Sequence, residues 1–183
     1  MSPNGRPPWR LKTDIGAIEL VNVLACEPAA SDYRHVENFT AGYRPSSAHA
    51  LTLDGEPLAL FIGSGGATGV HPNSAVHVGG LLYVAICSRV VCVRPKPYEL
   101  RWAVAADPAT CFGVHYDAAH DALISHGELQ IARLDDAGRI IWSASGADIF
   151  TGAFRLAADA VEVTDFDGRI HRFDYADGHP VGR

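Results

Sequence analysis

The sequence predicts an all-β fold, a small array of antiparallel meanders in about four repeat units. Three observations predict it. A segment recurs. Laying Trp102 on Trp142 aligns Leu82–Ile86 with Ala122–His126 without a gap. Val161–Asp165 ahead of Arg172-Phe173-Asp174 then repeats Ala122–His126 ahead of Arg133-Leu134-Asp135. A period near 40 residues marks one supersecondary unit stacked several times. Short apolar runs are also punctuated by Asp54-Gly55, Gly79-Gly80, Ala137-Gly138 and Asp167-Gly168, and such pairs supply the positive φ of tight hairpin turns. Finally, no long stretch keeps helical spacing. The widest candidate, residues 149–160, is interrupted by Gly152.

In chain order, residues 1–13 read as a loose arm, Pro-rich at its start, ahead of one domain over 14–183. Residues 15–26 are apolar and partly β-branched, and favour a strand. Residues 27–45 are polar and aromatic, and read mostly as loop. Ala50–Leu53 and Leu58–Ile62 flank Asp54-Gly55 as a hairpin. A Gly-rich link, Gly63–Gly69, follows. Ala75–Val78 and Leu81–Ile86 form a second hairpin, extended by Val90–Val93. Residues 121–144 make three short strands with turns at Gly127 and Ala137-Gly138. The last unit is Val161–Thr164, Asp167-Gly168, then Arg169–Asp174.

Arg133-Leu134-Asp135-Asp136-Ala137-Gly138-Arg139-Ile140-Ile141-Trp142 resembles the blade motif of quinoprotein-type β-propellers. There, an apolar residue and Asp lead into a Gly turn, and the next strand ends in Trp. Residues 172–181 look like a second copy with one inserted residue and no Trp. Residues 93–102 keep the Trp but replace the Asp-Gly turn with Pro95 and Pro97. The resemblance covers roughly residues 76–183. It implies an array of propeller blades in which the Trp covers the contact between adjacent sheets. At about 40 residues per blade, 183 residues hold about four, so the array is a small or incomplete propeller, an open fan, or part of a ring completed by another chain. A quinone cofactor would rest on that resemblance alone, and none is expected.

A formal net charge of −6 with 15 scattered basic residues argues against nucleic-acid binding, which needs clustered Lys and Arg. It suits a basic protein partner. No apolar run reaches the roughly 18 residues of a membrane helix. The polar, Pro-rich start lacks the apolar core of a secretory signal, which places the chain in the cytoplasm. Cys26, Cys87, Cys92 and Cys111 form no C-x-x-C pair and read as reduced, packed thiols.

The nine histidines are the principal chemical feature. His71 in Gly69-Val70-His71 and His115 in Gly113-Val114-His115 occupy like places, with Phe154 of Gly152-Ala153-Phe154 in the third copy. Two converging imidazoles would suit a metal or polar ligand, although a catalytic zinc site needs three protein ligands. His115, Asp117 and His120 set a carboxylate beside imidazoles, the elements of a tuned general base. The same residues also suit a solvated interstrand turn. Gly63–Gly69 follows a strand but matches neither the P-loop nor the dinucleotide fingerprint, so it reads as a link between units.

Two functions follow as expectations. The first is a non-enzymatic protein-binding module or assembly subunit, with a toxin-neutralising immunity protein as one version. Its sheet edges would accept a partner strand or a second copy. The second is an enzyme or ligand binder built on His71, His115, Asp117 and His120.

Overall fold

The computed structural model describes residues 8–23 and 30–182. Four sheets follow one another along the chain. The first holds β1 (Trp9–Thr13), β2 (Gly16–Val23), β4 (Ser47–Leu53), β5 (Glu56–Gly63) and, at its far edge, β3 (His35–Phe39). The second holds β6 (Ala75–Val78), β7 (Leu81–Ile86), β8 (Arg89–Pro95) and β9 (Tyr98–Ala105). The third holds β10 (Cys111–Asp117), β11 (Ala122–Gly127), β12 (Ile131–Leu134) and β13 (Ile140–Ala144). The fourth holds β14 (Phe154–Leu156), β15 (Val161–Thr164) and β16 (Ile170–Phe173), with a single bridge from Phe173 to Pro180 in place of a fourth strand. Among the described residues the one helical element is a 3-10 turn at Ala30–Asp32, and no helix is long and apolar enough to cross a membrane.

Two expectations are corrected in the first sheet. Residues 9–13 are not a loose arm; they pair antiparallel with β2 from Trp9 opposite Leu20 to Thr13 opposite Gly16. Within residues 27–45, expected to be loop, His35–Phe39 forms β3 and pairs parallel with β5. That pairing is non-local and its partner lies downstream, so no hairpin signal marks it. Cys26 lies outside the described residues, whereas Cys87, Cys92 and Cys111 are free and buried.

Each sheet is too thin to bury its own faces, and apolar clusters form between neighbours. Leu20, Leu51 and Phe61 pack on Leu82, Val84 and Val91. Tyr83, Val90 and Cys92 pack on Val114, Leu123 and Leu134. Ile124, Ile131 and Trp142 pack on Val161, Val163 and Phe173. No such cluster joins the fourth sheet to the first among the described residues, so the sheets form an open fan.

The two ends of the fan are finished differently. The outer face of the first sheet is apolar (Ala48, Ala50, Leu60, Ile62) and is covered by Ala30 and Tyr33. The outer face of the fourth carries Arg155, Glu162 and Arg172 in one cross-strand row. Glu162 pairs with both arginines, and Arg172 also reaches Asp159 at 2.8 Å. A terminal repeat needs such a polar outer face to remain soluble.

The recurrence is real, but its register differs from a gapless overlay. Tyr83, Cys92 and Trp102 form one cross-strand row; Ile124, Arg133 and Trp142 form the matching one. Leu82 therefore matches Leu123, not Ala122. Leu82 faces the first sheet, while Ala122 faces the fourth. A slip of one residue reverses every side chain of a strand. A bulge leaves Arg101 and Ile141, the residues before each Trp, out of the ladder.

Candidate functional site

Asp117 ends β10, and its carboxylate closes the following turn by accepting the amides of Ala119 (2.8 Å) and His120 (3.2 Å). It also accepts the phenol of Tyr175 at 2.9 Å. The His120 ring stacks on Tyr175 with centroids 3.8 Å apart, and its Nδ1 lies 3.3 Å from Asp117. Burial pushes the Asp117 carboxyl up, but the hydrogen bonds from Tyr175, Ala119 and His120 outweigh it and hold the group below the usual carboxylate range. Burial first, then Asp117, raises the Tyr175 phenol.

Tyr175 fastens the third sheet to the fourth from several directions. Its carbonyl accepts Trp142 Nε1 at 2.9 Å and Arg133 Nη1 at 2.8 Å, and its hydroxyl also reaches the Ala157 carbonyl at 3.0 Å. The structure thus brings Asp117 and His120 together as expected and adds Tyr175, whose role the sequence did not reveal. The hydrogen bonds of Asp117 and Tyr175 are spent on this joint, while His120 joins it by stacking.

His71 and His115 do not occupy like places. By register and facing, Ala75, Val114 and Phe154 correspond, since each opens its sheet toward the preceding one. His71 lies in the link before β6. Its Nε2 donates to the Phe112 carbonyl at 2.6 Å and its Nδ1 accepts the Asn73 amide at 3.2 Å. Neither nitrogen remains for a metal.

His115 faces the fourth sheet and stacks on Phe154 with centroids 4.2 Å apart. His126, which no local motif marks, stacks on the same ring at 4.7 Å. Both Nε2 atoms are buried without a partner. Burial, then the neighbouring His126 and His71, pushes His115 down to about 4. Burial likewise pushes His126 to about 4, against a hydrogen bond to the Phe150 backbone that raises it. Both are neutral at pH 7. Among the described residues, no three His, Cys, Asp or Glu side chains are placed to hold a metal ion.

The Gly63–Gly69 segment is a link between sheets. A Cβ on Gly66 would fall 1.8 Å from Thr110 Oγ1, so only glycine lets this link lie against the next one. Asp107, also unmarked in the sequence, ties that next link to the β11–β12 turn by accepting the amides of Ala109, Thr110, Leu129 and Gln130. Burial pushes the thiols of Cys92 and Cys111 up to about 12, so neither is a ready nucleophile.

No protein-family model matches the chain, and no curated protein matches it. Among solved structures it is similar to BamB from Moraxella catarrhalis, with a TM-score of 0.55 and 17% sequence identity. The likeness covers 89% of this chain and 51% of that one, so the chain spans about half the length of BamB. At that identity the likeness concerns the fold, and with the repeated, Trp-fastened sheets it makes this an all-β, β-propeller-like array.

Proposed function

We propose that this chain is a non-enzymatic protein-binding module, a rigid β-propeller-like scaffold that joins an assembly through its loops and edges. One observation carries the reading. The residues the sequence singles out are turned to internal use: Asp117 is held by Tyr175 and two amides, His71 by two backbone groups, and His115 is buried against Phe154. A scaffold of packed sheets leaves its loops free to vary, and loops carry recognition. The similarity to BamB supports the same scaffold.

Two finer versions differ in stoichiometry. An assembly subunit enters a defined higher oligomer, whereas a toxin-neutralising immunity protein forms a tight pair with one toxin. Purifying the tagged chain from its own cells and weighing the intact complex by native mass spectrometry tests both. A reproducible, stoichiometric protein partner supports the proposal. Monomer in every preparation, including after gentle cross-linking, removes it.

A further inference from the structure

At the β12–β13 turn, a crevice of about 310 Å³ opens between the second and third sheets. Tyr83 and Tyr116 line it, with Asp121 and Asp136 at its mouth and Ile141 on its rim. Tyr83 is 93% buried, at 7% exposure. Its hydroxyl meets no oxygen or nitrogen partner among the described residues, and the neighbouring Cys92 thiol is a weak one. The ring is thus held in the core while its hydroxyl, with no such partner among the described residues, is free to accept a donor that enters the crevice.

The charge there is not balanced. Asp135 is saturated by the Ala137 and Arg139 amides and by the Arg139 guanidinium. Arg133 also lines the crevice but turns its head group to the carbonyls of Tyr175, His120 and Asp121. Asp121 accepts only the Tyr116 phenol, at 2.7 Å. Among the described residues, neither Asp121 nor Asp136 has a cationic partner within salt-bridge distance. Two carboxylates that make no ion pair, beside two tyrosines, attract a cation, although Arg139 of the same turn, bound to Asp135, also acts on Asp136 at longer range. Ile141, half exposed on the bulge of β13, gives an aliphatic stem something to lie against.

We propose that this crevice binds the alkylammonium end of a lysine side chain presented by a partner protein. The proposal rests on the protein-binding reading above and names the recognition chemistry. The net charge of −6 favours approach of a basic surface.

The probe is Nα-acetyl-lysine N-methylamide, titrated into the full chain and followed by amide chemical shifts. Nα-acetyl-norleucine N-methylamide serves as the neutral control and putrescine as a free diamine. Saturable shifts at Tyr83, Tyr116, Asp121 and Asp136, absent with norleucine, are expected. So is a loss of about fivefold or more in affinity in the double variant Asp121→Asn, Asp136→Asn, which removes both charges. Asn tolerates the left-handed backbone at residue 121, where φ is 47°, and an unchanged melting temperature shows that the variant folds. Shifts scattered over the acidic surface, or affinity undiminished in the variant, overturn the proposal. Tighter binding of putrescine than of the lysine probe would replace the partner's lysine with a free diamine. These outcomes are independent of whether any partner is captured from cells.

Discussion

The indole of Trp102 lies flat against Gly138 of the next sheet, so close that a Cβ there would fall 2.6 Å from the ring. Its Nε1 donates to the Asp136 carbonyl at 2.8 Å. Trp142 repeats this on Gly178, again 36 residues on (138 − 102 and 178 − 142), with its Nε1 on the Tyr175 carbonyl. One indole and one glycine therefore fasten each of these two joints. In the joint from the first sheet to the second the aromatic changes sides: Tyr98, the first residue of β9, stacks on His35 at 4.0 Å and donates to Glu37.

Replacing either glycine with alanine is expected to destabilise the fan. Both have positive φ, 79° at Gly138 and 71° at Gly178, and both would press a methyl into an indole. The backbone and packing penalties together come to about 2–4 kcal/mol. Urea denaturation of Gly138→Ala and Gly178→Ala measures it. A loss below about 0.5 kcal/mol for both would mean the turns yield easily.

Trp142 is the more deeply buried of the two indoles, at 7% exposure against a half-buried Trp102. Trp142→Ala should cost about 3–5 kcal/mol and Trp102→Ala clearly less. Equal losses for both would contradict the burial argument.

Tyr175→Phe removes the phenol shared by Asp117 and the Ala157 carbonyl. A loss of roughly 1–2 kcal/mol is expected, together with a rise in the Asp117 pKa read by carboxyl NMR. The rise separates this role from simple packing; an Asp117 pKa unmoved by the variant refutes the assignment.

Stability should fall as the solution is acidified. His49, His115 and His126 are each pushed, chiefly by burial, from an ordinary value near 6.5 to about 4 in the folded chain. Between those values the unfolded chain binds more protons. The stability is thus present above pH 6.5 and lost as pH drops toward about 4, by at most roughly 3 kcal/mol per histidine. The depressed carboxyls Asp117 and Asp165 add a further loss below their ordinary value of 3.8. Melting curves across this range should be flatter for His115→Gln, His126→Gln than for the parent. Parallel curves would show that these imidazoles do not titrate on unfolding.

The outer face of the fourth sheet predicts a change in association rather than in fold. Converting Arg155, Glu162 and Arg172 together to valine would turn a charged row into an open apolar sheet face. The Glu162–Arg172 pair is mostly buried and the Arg155–Glu162 pair half-buried, but valine replaces all three partners at once and leaves no charge of the row unpaired, so the fold should survive while the variant self-associates. Light scattering across a concentration series reads this, and a variant that stays monomeric would show that the charged row does not guard the face.

Much of the architecture was legible because its signals are local. The turns at Asp54-Gly55 and Gly138 and the meanders rest on residues near one another in sequence, and the corners at Trp102 and Trp142 showed through their recurrence, although their partners lie 34 and 33 residues on. The strand β3 was not legible, because its partner β5 lies beyond β4 and pairs with it in parallel. The candidate site divided likewise. Asp117 and His120 share a turn and could be read together, while Tyr175 reaches Asp117 from 58 residues away.

By itself the sequence determined the all-β character, the repeat period and the indoles that mark it, because turn chemistry and strand patterning act over a few residues. Only the tertiary structure decided which way each strand faces and what each histidine meets. His115, one residue past Val114 on β10, faces Phe154, whereas His71, in the link before β6, is bound to backbone. Strand side chains alternate, so facing is fixed by pairing across sheets and not by position in the chain.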